Sequence, residues 1–200
     1  MLKVLWVGGD RFAGSIVRAE GPIEPLPIQS GGPPIWVGGA IRRSVLRAAT
    51  FGVGWYASTT YSQAHLALQA DRYRSELTTR GAEGQVLISA NRLALVADTD
   101  AEAEALGARY IGPVLRRYAT NGSLGEELRT DQASPEELFH RLRAEFCLVG
   151  SPERVAQEMR AYTDLGVTHI HARVIPDEMP SEIAARSVDG LAEAALLVDV

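Results

Sequence analysis

Short apolar runs that alternate with longer helical patterns restrict the fold of this 200-residue chain more than any other feature. Each apolar run has the length of a buried strand, and several of the helical patterns begin at a Ser or Thr that can act as an N-cap. Strands that alternate with helices in this way are typical of a parallel α/β sheet. We predict strands at about 34–38, 54–58, 86–97 and 168–174 and helices at about 40–50, 100–119 and 180–197, with further helices that begin after residues 58–62, 134 and 151.

Four such strand–helix units amount to half of a (β/α)8 barrel, which needs eight units and typically about 250 residues. We therefore predict a single partial barrel domain over residues 1–200, the second half of such a barrel. Residues 1–32 are expected to form a lead-in, with a short helix or extended piece and then a long loop. Residues 33–200 are expected to supply the last four units.

A half-barrel exposes two strand edges and apolar faces. We expect these surfaces to be covered in a homodimer, by a partner chain that supplies a missing N-terminal barrel half, or by the rest of a longer protein.

Composition excludes several classes of function. Hydrophobic residues make up 46% of the chain, enough for one sizeable core, and the net charge of −5 provides no basic field for nucleic acid. No apolar run approaches the roughly 20 residues that span a bilayer, so we expect no membrane partner. Cys147 is the only cysteine, which predicts no disulfide framework, a cytoplasmic location and a buried, inert thiol.

The turn after the first predicted strand has the features of an anion site. The strand ends at Gly38-Gly39-Ala40, and an Arg- and Ala-rich helix begins immediately afterwards. Glycines allow backbone N–H groups to approach a phosphate closely, and the free N–H groups at a helix start attract negative charge. Arg42 and Arg43 lie in the first turn of that helix, where a cation is disfavoured unless it meets an anion. A simple tight turn with two solvated arginines is the alternative interpretation.

Two longer motifs carry a resemblance to a known family. Residues 33–40 read PPIWVGGA, and residues 51–57, after the Arg- and Ala-rich helix, read FGVGWYA. This order resembles the luciferase-like monooxygenase family of flavin- or F420-dependent oxidoreductases, whose members commonly combine PIWVGG, such a helix and GDGW. Further similarity lies between residues 5 and 29 and in residues 150–155 and 165–170, so that the resemblance covers most of the chain in the family's order.

The resemblance implies a TIM-type barrel of which the N-terminal half is absent, together with much of the surface around the cofactor ring and the substrate. It also implies that backbone N–H groups of Gly38-Gly39-Ala40 hold the phosphate of FMN or coenzyme F420, with Arg42 beside them. The segment Gly54-Trp55-Tyr56-Ala57 is then expected to close over the other side of the phosphate. Val53 departs from the family pattern, since Asp is common there, and packing in the core is the alternative role for Trp55.

Three polar side chains alternate along the last predicted strand: His169, His171 and Arg173. Their side chains therefore point to one face, and the apolar residues between them point to the other. The outer face of a barrel is covered by helices, so we expect the polar trio to face the interior near the C-terminal mouth, where barrel active sites lie. We predict His171 as a proton donor or acceptor and Arg173 as the partner of an anionic substrate or cofactor group. A satisfied polar layer is the alternative, and we favour it for His169.

Other residues add less. Ser89 and Asn91 alternate inward on the third predicted strand, and we expect them to line the same cavity. The sequence has no cluster of Cys, His and carboxylates that completes a metal site, so no metal is predicted. Gly-x-Gly-x-x-Gly is absent after the first predicted strand, which argues against a Rossmann dinucleotide site.

Together with the resemblance, these residues predict an oxidoreductase that acts on a small organic substrate. Reduced FMN would imply monooxygenation and F420 would imply hydride transfer, and both cofactors stay open at this point. The main alternative is a non-catalytic half-barrel that binds flavin or serves as a structural homodimer. A weaker alternative is an enzyme that binds a sugar phosphate at the same turn.

Overall fold

A computed structural model describes residues 1–52, 54–82, 84, 86–174 and 178–198. In this part of the chain the contacts separate two compact units, Met1–Ile35 and Trp36–Val200, here called the N-terminal unit and the sheet unit. The boundary lies three residues after the predicted end of the lead-in. Val53, which departs from the family pattern, lies outside the described residues.

The N-terminal unit contains a short helix and a hairpin. Helix α1 (Leu2–Trp6) is followed by strands β1 (Arg11–Ala13) and β2 (Arg18–Glu20), which pair antiparallel. The prediction of a short helix or extended piece followed only by loop was therefore wrong for the hairpin. Strands of three residues are too short to show the apolar alternation on which a strand prediction rests.

The sheet unit is a succession of strands and helices. Its elements are β3 (Trp36–Gly38), α2 (Arg42–Phe51), β4 (Gly54–Ala57), α3 (Gln63–Thr79), β5 (Ile88–Val96), α4 (Asp100–Tyr110), α5 (Gly112–Thr120), α6 (Glu126–Arg129), α7 (Pro135–Phe146), β6 (Cys147–Gly150), α8 (Pro152–Asp164), β7 (His169–Arg173) and α9 (Ser181–Val198).

All pairings within this sheet are parallel, which confirms the predicted α/β class. Strand β4 lies between β3 and β5, and β7 pairs with the other side of β5. Strand β5 has nine residues, and its C-terminal half also pairs with a third strand, β6. The described residues form an open sheet and no closed barrel.

Three elements differ from the prediction. Strand β6 was missed because its four residues follow α7 without a loop. The predicted helix at 100–119 is broken at Ile111, where Gly112 and Pro113 begin a new helix. Pro113 is tolerated there because the first residues of a helix need no intrahelical N–H bond. The short helix α6 was also not predicted.

The two faces of the sheet are covered differently. One face, called the outer face, packs against α2, α3, α8 and α9 through a buried apolar cluster that includes Val45, Trp55, Leu66, Ala90 and Val155. A second apolar cluster lies under α4, α5 and α7 and covers the opposite side of β5 near its C-terminal end. Its members include Leu93, Leu95, Tyr110, Phe139 and Cys147.

Arg92 is a polar member of the outer face and is fully buried. Its Nε donates to Tyr162 Oη at 2.7 Å, and its two terminal nitrogens donate to the carbonyls of Asn91 at 2.8 Å and Tyr61 at 3.0 Å. The guanidinium also lies 4.9 Å from the centre of the Tyr162 ring. Arg92 thereby fixes the start of the α3 region against β5 and α8.

The segment between β5 and α8, residues 97–150, leaves the sheet and returns to the same place; we call it the inserted segment. Val96 pairs with Gly150, and the Asp100 carboxylate accepts the Ser151 N–H at 2.7 Å. This hydrogen bond holds the pKa of Asp100 below its ordinary value, against a smaller opposing effect of burial. The two ends of the inserted segment are therefore tied together.

Four helices of the sheet unit begin at a side-chain cap. Ser62, Thr99, Ser134 and Ser151 each accept a backbone N–H from the first turn of their helix. Thr99 and Glu102 have the spacing of a capping box, but only the Thr99 half is present, because the Glu102 carboxylate accepts a hydrogen bond from Arg186 at 3.3 Å. The reciprocal box occurs in α7.

Candidate functional site

The face of the sheet opposite the outer face is concave, and we call it the inner face. A cavity of about 440 Å³ lies on it, at the side chains of Trp36, Tyr56, Ser89, His169 and His171. These residues come from β3, β4, β5 and β7, one face of each strand. The polar and aromatic character of this lining contrasts with the apolar outer face.

Contacts between distant strands show how strongly the sheet curves. The rings of Trp36 and His169 meet edge to face with centroids 5.1 Å apart, although β4 and β5 separate their strands. The Tyr56 and His171 rings meet in the same manner at 5.6 Å. A flat sheet would hold β3 and β7 about 14 Å apart, three interstrand spacings. The curvature is therefore that of a barrel wall.

The structure places the predicted polar trio on the inner face. Ile170 and Ala172 pack against the outer apolar cluster, so His169, His171 and Arg173 point the other way. The two histidines are exposed and Arg173 is half-buried. His169 Nδ1 also lies 2.9 Å from Thr168 Oγ1.

Arg173 reaches a residue of the inserted segment. Its Nη1 donates to Tyr118 Oη at 2.9 Å, and its guanidinium lies 5.8 Å from the centre of the Tyr118 ring. Burial raises the pKa of the Tyr56 phenol, and the positive charge of Arg173 partly opposes that rise. Arg173, Tyr118 and Tyr56 thus share one end of the inner face with His171.

Tyr118 and Trp36 were not identified as site residues from the sequence. Tyr118 lies 55 positions before Arg173, and no local pattern connects a residue in a helix to a distant strand end. Trp36 was quoted only as part of a motif. Residues 36–38 belong to an apolar run, which is consistent with a strand. A strand of three residues is too short to show which face of the sheet Trp36 lies on.

Ser89 and Asn91 lie on the inner-facing side of β5, as expected from their alternation. Ser89 is buried and lines the cavity, and Asn91 pairs in register with His171. The buried Asn91 Oδ1 has no hydrogen-bond partner among the residues that the structure describes. This oxygen is thus a buried acceptor without a donor, which is uncommon in a folded protein.

The Gly38-Gly39-Ala40 turn connects β3 to α2. Gly39 has a φ of +140°, and a Cβ at this position would lie 2.6 Å from Ser44 Cβ. Only glycine fits there without strain, because both the φ value and the close approach exclude a side chain. The turn is consequently a shallow cradle of exposed backbone beside the start of α2.

Helix α2 differs from the capped helices at its first turn. Its N-cap is Ile41, and within the described residues no side chain bonds the first N–H groups of this helix. Its first turn carries Arg42 and Arg43, both exposed, and no acidic residue. A phosphate would meet free N–H donors, the helix dipole and two guanidinium groups at this place. The residues present therefore fit a cofactor phosphate.

The structure separates the members of the Gly54-Trp55-Tyr56-Ala57 segment. Tyr56 lies on the inner face, whereas Trp55 and Ala57 are fully buried in the outer apolar cluster. Gly54 is buried below the Trp36 indole, where a Cβ would lie 2.6 Å from the ring. Trp55 and Ala57 are thus placed away from any ligand on the inner face, and Gly54 makes room for Trp36.

The structure brings most of the predicted residues to neighbouring positions. Tyr56, His171 and Arg173 lie together on the inner face. Gly38, at the end of β3, pairs in register with Tyr56, and a Cβ on Gly38 would lie 3.8 Å from the Tyr56 ring. Gly39, Ala40 and Arg42 follow Gly38 in the turn and in the first turn of α2. In the described ranges no three His, Cys, Asp or Glu side chains are placed to hold a metal ion. No helix in the described part of the chain is long and apolar enough to cross a membrane.

Similar folds occur in solved structures of oxidoreductases. Monooxygenase RslO1 from Streptomyces bottropensis superposes with a TM-score of 0.78 and 23% identity, over 100% of this chain and 59% of that chain. The oxygenating constituent of 3,6-diketocamphane monooxygenase from Pseudomonas putida, solved with FMN, gives a TM-score of 0.63 and 18% identity, over 94% of this chain and 57% of that chain. The coenzyme F420-dependent tetrahydromethanopterin reductase from Methanopyrus kandleri gives 0.62 and 14%, over 95% of this chain and 59% of that chain.

At these identities the likeness establishes a shared fold, and the chain spans between 57% and 59% of the length of these three proteins. No curated protein matches the sequence significantly. The sequence profile described as luciferase-like monooxygenase matches residues 1–169, well over half of the chain. This chain belongs to the luciferase-like monooxygenase family.

Proposed function

We propose that this chain is the cofactor-phosphate-binding half of a flavin- or F420-dependent oxidoreductase that acts on a small organic substrate. The observation that supports this proposal most strongly is the Gly39 turn, which lies beside the start of α2, a helix without a side-chain cap. A backbone that excludes any side chain, followed by free helix N–H groups and two arginines, matches the needs of a phosphate.

Both cofactors remain in the proposal. One of the similar structures contains FMN and another is an F420-dependent reductase, so the fold accommodates either. FMN would make the reaction a monooxygenation, and F420 would make it a hydride transfer.

When bound, the cofactor supplies the redox chemistry. The contribution of this chain is binding, orientation and proton handling. The turn at Gly38-Gly39-Ala40 anchors the phosphate, and the inner face offers the flat rings of Trp36 and Tyr56 as an apolar wall. His171 is an exposed imidazole, a side chain that can act as a proton donor or acceptor. The Arg173 guanidinium supplies a fixed positive charge beside it.

The inner face needs a cover to exclude water from such a reaction. In this proposal the cover is either a second copy of the chain or the other half of the barrel. A cytoplasmic location is part of the same proposal, because Cys147 gives no sign of disulfide use.

The test is a fluorescence titration of the 200-residue chain with FMN, with riboflavin and separately with F420. Riboflavin lacks only the phosphate of FMN, so the ratio of their affinities measures the phosphate contact alone. If FMN is the cofactor, we expect it to bind at least about tenfold more tightly than riboflavin, the effect of losing charge-assisted hydrogen bonds. The substitution Gly39→Val should remove that preference, and if F420 is the cofactor it should weaken F420 binding similarly.

Gly81→Val is the matched control. Gly81 also has a positive φ, +62°, but nothing lies within 4 Å of the position of its Cβ, and it stands at the end of α3. The control variant therefore carries a similar backbone strain and should keep the cofactor affinity of the parent chain. Equal affinity for FMN and riboflavin, or failure of the folded chain to bind either cofactor, would contradict the proposal.

A further inference from the structure

Arg173 is unusual among the arginines of the sheet unit. Many of the others pair with a carboxylate, as the surface ion pairs of Arg80, Arg141 and Arg154 illustrate. Arg173 is half-buried, yet in the described part of the chain its hydrogen-bond partner is the neutral hydroxyl of Tyr118. A guanidinium has five N–H donors, so one phenol leaves most of them unused.

Among the residues that the structure describes, no Asp or Glu forms an ion pair with Arg173, whose neighbours include the phenols of Tyr118 and Tyr56. The nearby cavity on the inner face is lined by aromatic rings, Ser89, Ile170 and two histidines, and these lining residues include no Asp or Glu. The exposed imidazole of His171 adds hydrogen-bonding capacity beside the Tyr56 ring. A half-buried cation surrounded by neutral polar groups is complemented by an anion that arrives with a ligand.

The proposed function already assigns the cofactor phosphate to the Gly39 turn, where the first N–H groups of α2 would receive it. Arg173 ends β7, and β4 and β5 lie between β7 and β3 in the strand order. Arg173 is therefore left for a second anionic group, and the position beside His171 and Tyr56 is the one proposed for the substrate.

We infer that Arg173 binds a carboxylate of the organic substrate, with Tyr118 as a positioning residue that fixes the orientation of the guanidinium. The inference rests on the proposed function and narrows it to substrates that carry a carboxylate. Arginine is suited to this task because its planar fork can make two parallel hydrogen bonds to a carboxylate. The apolar part of such a substrate would then lie against Tyr56 and Trp36.

The experiment is an isothermal titration of the chain, without cofactor, using benzoate as the probe and benzamide as its neutral counterpart. Both have the same flat ring, so a difference between them reports the carboxylate. We expect saturable binding of benzoate and at least tenfold weaker binding of benzamide. Arg173→Gln should weaken benzoate binding at least about tenfold, and Arg173→Lys should restore only part of it, because an ammonium makes no fork.

Tyr118→Phe separates positioning from charge. It keeps the ring and removes the hydroxyl, so we expect about threefold weaker benzoate binding and no change for benzamide. Arg47→Gln is the matched control, since it removes the same charge from an exposed site on α2 and should leave benzoate affinity unchanged. Circular dichroism spectra that match the parent chain establish that each variant is folded.

Three outcomes would overturn the inference. The first is equal binding of benzoate and benzamide, and the second is a folded Arg173→Gln variant that binds benzoate as the parent does. The third is competition between benzoate and inorganic phosphate that disappears in Gly39→Val, which would place the anion at the phosphate turn. Because no cofactor is present, each of these results is independent of the comparison between FMN and riboflavin.

Discussion

The outer and inner faces of the sheet are built from neighbouring residues of the same strands but have opposite chemistry. Trp55 points outward and is fully buried among Tyr61 and Tyr73, with ring centroids 6.1 Å away in each case. Tyr56, the next residue, points inward to a cavity lined by histidines and Ser89. The outer face resembles an ordinary protein core, whereas the inner face keeps exposed polar groups that no folding requirement explains.

The difference indicates where stability and function reside. Burial of apolar area on the outer face stabilises the fold, while half-exposed polar groups contribute little. Away from the second apolar cluster, substitutions on one strand should therefore have large or small effects on stability according to the face. Pairs of residues on opposite faces make that expectation measurable.

The largest expected effect is at Trp55. Trp55→Ala removes a fully buried side chain and should lower the free energy of unfolding by about 3–5 kcal/mol. Tyr56→Ala, on the next residue and the other face, should cost about 1 kcal/mol or less. Urea unfolding followed by far-UV circular dichroism measures both, and equal losses would contradict the division into two faces.

Two arginines provide a second, smaller contrast. Arg92→Met keeps the apolar stem on the outer face but leaves Tyr162 Oη and two buried carbonyls without their donor, which should cost about 2–3 kcal/mol. Arg173→Met on the inner face removes one hydrogen bond to a half-exposed phenol and should cost under about 1 kcal/mol. Urea unfolding measures both variants. A greater loss of unfolding free energy at Arg173 than at Arg92 would show that the inner face contributes substantially to stability.

At neutral pH the smallest effect is in the second apolar cluster, where the inserted segment covers the inner side of β5. Burial raises the pKa of the Cys147 thiol from 9.0 to about 12. The native thiol should therefore not react with a disulfide reagent at pH 8, and it should react after unfolding.

The sign of the pH effect follows from the same pKa. The folded chain keeps its Cys147 proton above pH 9 while the unfolded chain loses it, so stability falls as the pH rises from about 9 toward 12. The slope attributable to this group is about 1.4 kcal/mol per pH unit. Comparing unfolding free energies with Cys147→Ala isolates it, and a native thiol that reacts readily would mean that this part of the inner face is open.

The parallel α/β class could be predicted from the sequence, and so could the face of the sheet to which the polar side chains of the last strand point. Strand β7 has five residues with strict alternation of polar and apolar side chains, and that period fixes the face once one side is known to be buried. The tight turn between β3 and α2 was predicted as well, because two glycines between an apolar run and a helical pattern indicate a turn, while its phosphate role stays a prediction.

Other parts of the site depend on contacts that no local pattern encodes. Trp55 and Tyr56 are both aromatic, and only the pairing of β4 with its neighbours decides which of them is buried. The bond from Tyr118 to Arg173 joins residues 55 positions apart through the path of the inserted segment. Strand β6 was hidden because it follows α7 directly and is defined by pairing with the distant end of β5.

The tie between Asp100 and Ser151 has a consequence for how chains of this type can vary. It ties the two ends of the inserted segment, so that the exposed loops between its helices can be lengthened or shortened while the strands beneath keep their registers. Tyr118 lies in the inserted segment, whereas Arg173 lies in a strand of the sheet. A related protein could therefore keep the arginine and change the residue that contacts its guanidinium by changes within the inserted segment alone.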